Sequence, residues 1–437
     1  MSLIKSIQYI TVVAFLGILV GIGLQMPNIW QPASLIGAIG LALSLKGIPS
    51  LSGYQYTAWI LVAVVAGMIY PTAFTKWGSF DLRNKWMILV VIQLVMFGMG
   101  IQMSLKDFTG LATTGKGVAI GLFCHFSIMP LMGFTLTRLF HFDPEIAAGI
   151  ILIGSCSSGL ASNVMVYLAK ANLVLSVVVT AMATMAAPFL TPLLMKWLAG
   201  TLIEVKFLNM MMEIIKIVIV PISAALLVDY LKTVSLQQVK KASIFALVAL
   251  VFLIALPLGL WNFLSKTIGL SPLLDSIEIF CFLVAAFTLG VGYYWLSKQL
   301  SKLDIWLPYI SMAGIIYFTT VTTAAGHDNL LKVGWLLFLC SVIHNGAGYF
   351  FGYWLGRLFG LDKSSSRTIA FEVGLQNGGM ASGLAGSMGK LGTVGLPAAV
   401  FSPWMNISGS ILANYWRKQA DKEAALLESE THQSFNK

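Results

Sequence analysis

The residues best equipped for chemistry lie between Ser366 and Leu391, in the stretch SRTIAFEVGLQNGGMASGLAGSMGKL. This run is apolar enough to cross a bilayer, yet it carries one carboxylate, Glu372, followed by Gln376, Asn377, Gly378 and Gly379. An ionised side chain at bilayer depth costs roughly 2.5–3.5 kcal/mol on insertion scales, so such a group faces an internal cavity and a partner. Unwound backbone at that depth is tolerated only where it is buried in protein or lines a watery cavity. A carboxylate beside a helix break therefore reads as a cation site; the alternative is a packed Gly/Ala helix interface around a buried, protonated Glu372. An earlier stretch, Gly154 to Asn172 (GSCSSGLASNVMVYLAKAN), has the same character, because its serines, glycines and Asn163 interrupt an apolar span. Ser176 and Thr180 follow it, four residues apart and so on one helical face. Hydroxyls, an amide oxygen, freed carbonyls and a carboxylate are the hard oxygen donors a desolvated alkali cation needs. Taken singly, Ser176 or Thr180 reads better as a hydroxyl bonded to the carbonyl one turn earlier.

The elements that must position these groups are helices in a bilayer. Hydrophobic residues make up 58% of the 437 and charged residues 10%, with mean hydropathy +0.86. Soluble domains run near 45–50% and about 25%, so the composition specifies a polytopic membrane protein. About fourteen apolar runs have the length a bilayer demands, including 56–72, 86–102, 117–140, 145–168, 173–198, 208–230, 244–263, 276–296, 305–325, 334–359, 369–388 and 395–416. The run 9–24 near the N-terminus lacks a small-residue cleavage site and reads as a retained helix. The run 32–45 falls short of the roughly 20 residues a crossing needs and admits a re-entrant segment.

The net charge of +10 does not point to nucleic acid, because the basic residues are scattered through short loops. With both termini cytoplasmic, the inside loops collect 17 Lys/Arg and the outside loops nine, which favours that orientation. Cys124, Cys156, Cys281 and Cys340 fall in apolar runs at irregular spacing and suggest neither disulfides nor a zinc site. The tail from Arg417 is polar and is expected to form a short helix that frays into disorder.

One feature is more specific than hydropathy. The segment HFSIMPLMGFTLTRLFHFD at His125–Asp143 lies on HNGAGYFFGYWLGRLFGLD at His344–Asp362 with a constant offset of 219. The histidines, Gly133/Gly352, Leu136/Leu355, the Arg-Leu-Phe triplets and the closing aspartates coincide, and Gly159-Leu160-Ala161-Ser162 falls near Gly379-Met380-Ala381-Ser382. Seven predicted crossings separate the copies, an odd number, so the copies point in opposite directions. Inverted repeats with a broken helix in each half are the pointer to a secondary transporter with its site near the midplane.

GLASNVMVYLAKANLVLSVVVT, RTIAFEVGLQNGGMASGLA, MFGMGIQMSLKDF at Met96–Phe108 and the ending FSPWMNISGSILANYW resemble the bile acid:sodium symporter family over about Tyr56 to Trp416. The resemblance implies an all-α ten-helix fold of two inverted five-helix repeats, with two broken, crossing helices and about four extra transmembrane helices. The implied division is an extra N-terminal pair at 1–50, a first repeat at 51–232, an inserted pair at 233–300, the rest of the second repeat at 301–416 (its first helix being 208–230) and a cytoplasmic tail at 417–437. It implies sodium-coupled symport of a small organic anion by alternating access, in the inner membrane of a bacterium, with sodium as coupling ion and no cofactor. A first sodium site would comprise Ser162, Asn163, Ser176, Thr180 and Glu372. A second would use Glu372, Gln376, the carbonyls of Val373 and Leu375, and a third-helix side chain that is a glutamine in the family and His125 here. Leu160, Ala161, Asn377, Gly378 and Asn406 would contact substrate, Leu160 standing where a threonine is common.

Three other readings stand beside this one: a proton-coupled or uncoupled exporter on the same fold, a receptor without transport, and an intramembrane enzyme. The last would need Ser157 or Ser158 with His125 or His344, and the sequence holds no GxSxG elbow and no HExxH pair. Glu213 and Lys216 read as a paired interfacial charge, His344 with Asn345 as interhelical hydrogen bonding, and Met96, Met99, Met103 and Met210–Met212 as packing. His327 and Asp328 are expected in an outside loop.

Overall fold

A computed structural model describes residues 3–48, 55–269, 272–300 and 302–435. Helix α1 (Leu3–Gly23) turns back into α2 (Pro27–Leu45), whose Pro27 sits in the first turn where a missing N–H costs nothing. The stretch suspected of being re-entrant is thus part of a 19-residue helix lying antiparallel along α1, Gly17 facing Ala33 and Gly37 facing Ala14. Pro32 lies inside it; Pro27 extends it by a turn that the hydropathy of 32–45 did not include. The pair meets the rest of the protein through α3 (Gln55–Ile69), where Ala42 packs with Ala58 and Val62.

The all-helical expectation needs one correction. After a tight turn at Pro71–Phe74, β1 (Lys76–Trp77) and β2 (Phe80–Asp81) form a two-residue antiparallel ladder, with Gly78 in the left-handed region at φ +62. Asp81 pairs with Arg83 at 2.9 Å, and this hydrogen-bonded guanidinium lowers the Asp81 pKa to about 2.

Helix α4 (Lys85–Gly100) is capped by Asn84, whose side chain accepts from the amides of Trp86 and Met87. It is followed by α5 (Leu111–Phe140), α6 (Pro144–Ser155), α7 (Ala161–Leu168) and α8 (Leu173–Leu198), the last capped by Asn172. Helix α9 (Phe207–Ile214) passes through a π-helical turn at Ile215–Ile219 into α10 (Val220–Thr233). Helix α11 (Leu236–Ala255) opens on a capping box of Ser235 and Gln238 and runs through a second π turn into α12 (Trp261–Ile268). The kink falls at Gly259, whose φ of 127° is open to glycine. Helix α13 (Pro272–Gln299) returns against α10, and Val248, Val251 and Leu258 of the inserted segment are left outward, as a lipid-facing surface requires.

The chain continues through α14 (Leu303–Ala325), α15 (His327–Leu358), α16 (Lys363–Gly374), α17 (Gly378–Ser387) and α18 (Leu396–Phe435). Among the described residues nine helices are long and apolar enough to cross a membrane, with shorter apolar helices besides. The protein is therefore an all-α polytopic membrane protein apart from the β1–β2 ladder. Two further expectations are revised. His327 and Asp328 open α15 rather than sitting in a loop, and the tail beyond Arg417 prolongs α18 as one helix to Phe435 instead of fraying. Ion pairs to the tail, from Lys170 to Asp421 (2.6 Å) and from Lys363 and Arg367 to Glu423, hold that extension against the ends of α7 and α16.

The expected spans 145–168 and 369–388 are each two helices, α6 with α7 and α16 with α17, separated by unwound residues. Each pair follows a long helix of similar length, 30 residues in α5 and 32 in α15, and α6 and α16 both have 12. The main core gathers around them, with Phe371, Phe401, Met129, Ile151 and Leu152 fully buried.

Candidate functional site

Helices α6 and α16 each stop where the chain turns extended, at Cys156 (φ −71°, ψ 163°) and Leu375 (φ −105°, ψ 102°). The two unwound segments then run antiparallel across each other. Asn377 N donates to Ser157 O (2.8 Å), Gly159 N donates to Leu375 O (3.2 Å), and Ser158 pairs with Gln376. This mutual pairing is what makes broken backbone tolerable at membrane depth, because buried N–H and C=O groups find partners in each other. Helix α5 ties the crossing together. The His125 ring lies between two backbone carbonyls, Nδ1 2.9 Å from Glu372 O and Nε2 2.8 Å from Cys156 O. Opposite it, Asn345 Nδ2 of α15 donates to Gly374 O (2.8 Å), and His344 Nε2 lies 2.8 Å from Met129 O.

Glu372, on the last turn of α16, is wholly buried and points its carboxylate at α7 and α8. Ser176 Oγ lies 2.5 Å from Oε1, Thr180 Oγ1 2.8 Å from Oε2, and Ser158 Oγ 2.7 Å from Oε2. Asn163 Oδ1 lies 2.7 Å from Ser176 Oγ and 3.2 Å from Thr180 Oγ1. Ser162 Oγ approaches Thr180 Oγ1 at 3.3 Å and donates its own hydrogen to Gly159 O. The five residues expected for a first sodium site are thus brought together, and Ser158 joins them.

For an ionised Glu372 with Asn163 Oδ1 turned inward, five close contacts run from Ser158, Ser176 and Thr180 to oxygens that only accept, and each hydroxyl carries one hydrogen. Two contacts are then oxygen against oxygen with nothing between. In that protonation state a cation among these hard oxygens would turn the repulsion into coordination.

The second expected set is arranged differently. Val373 O accepts from Gln376 Nε2 (2.8 Å), Leu375 O accepts from Gly159 N (3.2 Å), and both His125 nitrogens face carbonyl oxygens. Within this set the one buried side-chain oxygen left without a partner is Gln376 Oε1.

Gln376 also faces a cavity of about 370 Å³. One wall is built from the breaks and α18, with Leu160, Ala161, Asn377, Gly378 and Asn406, so all five residues expected to contact substrate line it. The other wall comes from α3, α4 and α14, with Met99, Gln102, Ser311 and Met312. None of the described residues lining it is Lys or Arg. Positive potential comes instead from the N-terminus of α7, which no side chain caps, whereas Asn377 caps α17 by accepting from Met380 N (3.0 Å). At the opposite end of α4, a smaller cavity of about 180 Å³ is lined by Lys85, Glu213, Lys216, Glu278 and Ser387. Between the two cavities Ile88, Ile92 and Met96 of α4 lie against Gly386, Gly383 and Gly379 of α17. The hydroxyls an intramembrane enzyme would need as nucleophiles are committed elsewhere: Ser158 to Glu372, and Ser157 to Met380 Sδ (3.8 Å).

Two broken helices crossing at a buried carboxylate beside a cavity fit a membrane carrier better than a hydrolase. The comparisons with known proteins agree. A family model described as the Sodium Bile acid symporter family matches residues 89–264. The uncharacterized sodium-dependent transporter YocS of Bacillus subtilis is 31% identical over 382 residues, 87% of this chain and 96% of that protein. The probable sodium/metabolite cotransporter BASS1, chloroplastic, of Arabidopsis thaliana is 28% identical over 368 residues (84% and 74%), and the human ileal sodium/bile acid cotransporter 25% identical over 299 (66% and 66%). This chain belongs to the bile acid:sodium symporter family, a family of transporters.

Proposed function

We propose that the protein is a sodium-coupled symporter for a small organic anion. The observation that carries this reading is the convergence of hydroxyl and amide oxygens from Ser158, Ser162, Asn163, Ser176 and Thr180 around the buried Glu372 carboxylate, at the crossing of two helix breaks. Sodium enters among Glu372, Asn163, Ser162, Ser176 and Thr180 and is carried as cosubstrate. Relatives named for sodium-dependent transport, sodium/metabolite cotransport and sodium/bile acid cotransport support the coupling ion and an organic cargo. The anion is held in the 370 Å³ cavity at the N-terminus of α7, with the amides of Asn377 and Asn406 as hydrogen-bonding neighbours.

In this reading α3–α8, with α6 and α7 as one broken helix, and α9–α10 with α14–α18, with α16 and α17 as the other, are two inverted five-helix repeats, to which α1–α2 and α11–α13 add a pair of crossings each. Both termini face the cytoplasm of a bacterium, so the cavity at the Gln102 end of α4 opens inward and the contact of α4 on α17 closes the outer path. Transport alternates the two. The test is uptake into proteoliposomes, screened over organic acids with an imposed inward sodium gradient against a matched potassium gradient. Accumulation of an acid with sodium alone supports the reading. Accumulation driven equally by a proton gradient or by none, for every acid transported, would replace sodium symport with the exporter alternative.

A further inference from the structure

Three hydroxyls touch the Glu372 carboxylate, and they arrive from different directions. Ser176 and Thr180 sit on the continuous helix α8, whereas Ser158 comes from the unwound segment between α6 and α7. Ser158 is 1% exposed, and its Oγ lies 2.7 Å from Glu372 Oε2 and 3.3 Å from Thr180 Oγ1. Its backbone is the one paired with Gln376 across the crossing, flanked on either side by the hydrogen bonds of Asn377 N to Ser157 O and Gly159 N to Leu375 O. The oxygen is therefore placed by the pairing of two extended segments, not by a rotamer choice alone. Gln376, its partner in that pairing, lines the cavity and keeps Oε1 unpartnered.

We infer that Ser158 is a further ligand of the cation site and sets that site's preference for sodium over lithium. The inference rests on the reading that the oxygens around Glu372 bind a cation. A hydroxyl that donates its hydrogen to a carboxylate still has a lone pair to offer, so Ser158 can satisfy Glu372 Oε2 and coordinate an ion lying beside Thr180. Selectivity between hard cations is a matter of cavity size, ligand number and flexibility. Taking one oxygen away from a fixed shell leaves the larger ion under-coordinated more than the smaller one. Ser158 is also the member of the shell whose position reports directly on whether the two breaks are paired, which links ion occupancy to the cavity wall at Gln376.

The experiment measures thermal unfolding of the purified full-length protein in sodium chloride, lithium chloride and choline chloride at constant total salt. It compares wild type with Ser158→Ala, Ser158→Thr and Glu372→Gln. Ser158→Ala is expected to raise the sodium concentration for half-maximal stabilisation by about tenfold, the scale of losing one shell contact, while the lithium midpoint moves less. Ser158→Thr, which keeps the hydroxyl and suits extended backbone, restores the sodium-to-lithium ratio of wild type. If Glu372→Gln abolishes both cation responses but Ser158→Ala leaves the ratio of midpoints unchanged, the inference is overturned, even if the variant melts lower in choline. If Glu372→Gln keeps its sodium response, it is the cation-site reading itself that fails.

Discussion

Replacing Gly383 by alanine should open the outer path. A Cβ built at Gly383 meets Ile92 Cγ1 at 2.8 Å, Ile92 Cδ1 at 3.2 Å and Ile217 Cδ1 at 3.4 Å. The nearest of these atoms is the branch of a fully buried β-branched side chain, which has few rotamers to escape into. Overpacking of this kind costs about 1–3 kcal/mol. Alanine also gains roughly 0.8–1.0 kcal/mol of helix propensity over glycine, but that gain applies whether or not α17 touches α4. It cancels between the two conformations and leaves the full wedge cost on the closed one. The outward-open population should then rise by about 5- to 150-fold. A cysteine at Ser402, which lines the 370 Å³ cavity behind the contact of α4 on α17, reports the change through its labelling by a membrane-impermeant maleimide applied from outside, the four native cysteines being buried. We expect at least a fivefold faster labelling in Gly383→Ala, on the scale of the lower bound. A lowered melting point with an unchanged labelling rate would mean that the glycine face is static packing and would refute the argument.

Helix α13 is anchored by Glu278, which lies 2.8 Å from Lys216 Nζ, while Glu213 stands at 3.5 Å. Glu278→Gln leaves a mostly buried ammonium with its weaker partner, so the melting point should fall and Glu278→Asp should recover part of the loss; an unchanged melting point contradicts this. Because both His125 nitrogens already face carbonyls, sodium dependence of uptake should have a Hill coefficient near one, and His125→Gln, which adds a carbonyl oxygen at the crossing, should steepen it. A wild-type coefficient near two would be the contrary result. The Lys363 side chain hydrogen-bonds Glu423 and, with Arg367, holds its carboxyl below the usual range. Its folded value being depressed, the tail's docking is present above the ordinary carboxylate range and is lost as pH falls through the lower value. Amide exchange in α18 beyond Arg417 should accelerate there and in high salt, and exchange that ignores both would show that the ion pairs do not hold the tail.

Much of the site was legible because membrane helices make polar residues conspicuous. Glu372 stood out as a lone charge in an apolar run, and Gln376-Asn377-Gly378-Gly379 marked the break that the fold places at 375–377. Of the hydroxyls on Glu372, Ser158 was harder to see than Ser176 and Thr180. Ser158 and Glu372 are 214 positions apart, and only the crossing of two breaks brings them together. The polar run Ser155-Cys156-Ser157-Ser158 was the available signal, since serines ahead of a helix break have freed backbone and buried charge to satisfy. His125 illustrates the opposite limit: its type left open an ion ligand or a hydrogen bond to a freed carbonyl, and its ring lies between two carbonyls. The π turn at Lys216 and the long tail helix left no periodic signature, because each is tied to distant segments, and the β1–β2 ladder left none because two residues a strand are too few to alternate.

The central claim is that the oxygens around Glu372 bind sodium, and equilibrium binding of radioactive sodium to the purified protein tests it most directly. Wild type should bind sodium saturably against a choline background, Ser176→Ala and Asn163→Ala should bind it weakly, and Glu372→Gln should not bind it at all while unfolding cooperatively. Saturable binding that persists unchanged in Glu372→Gln would contradict the account.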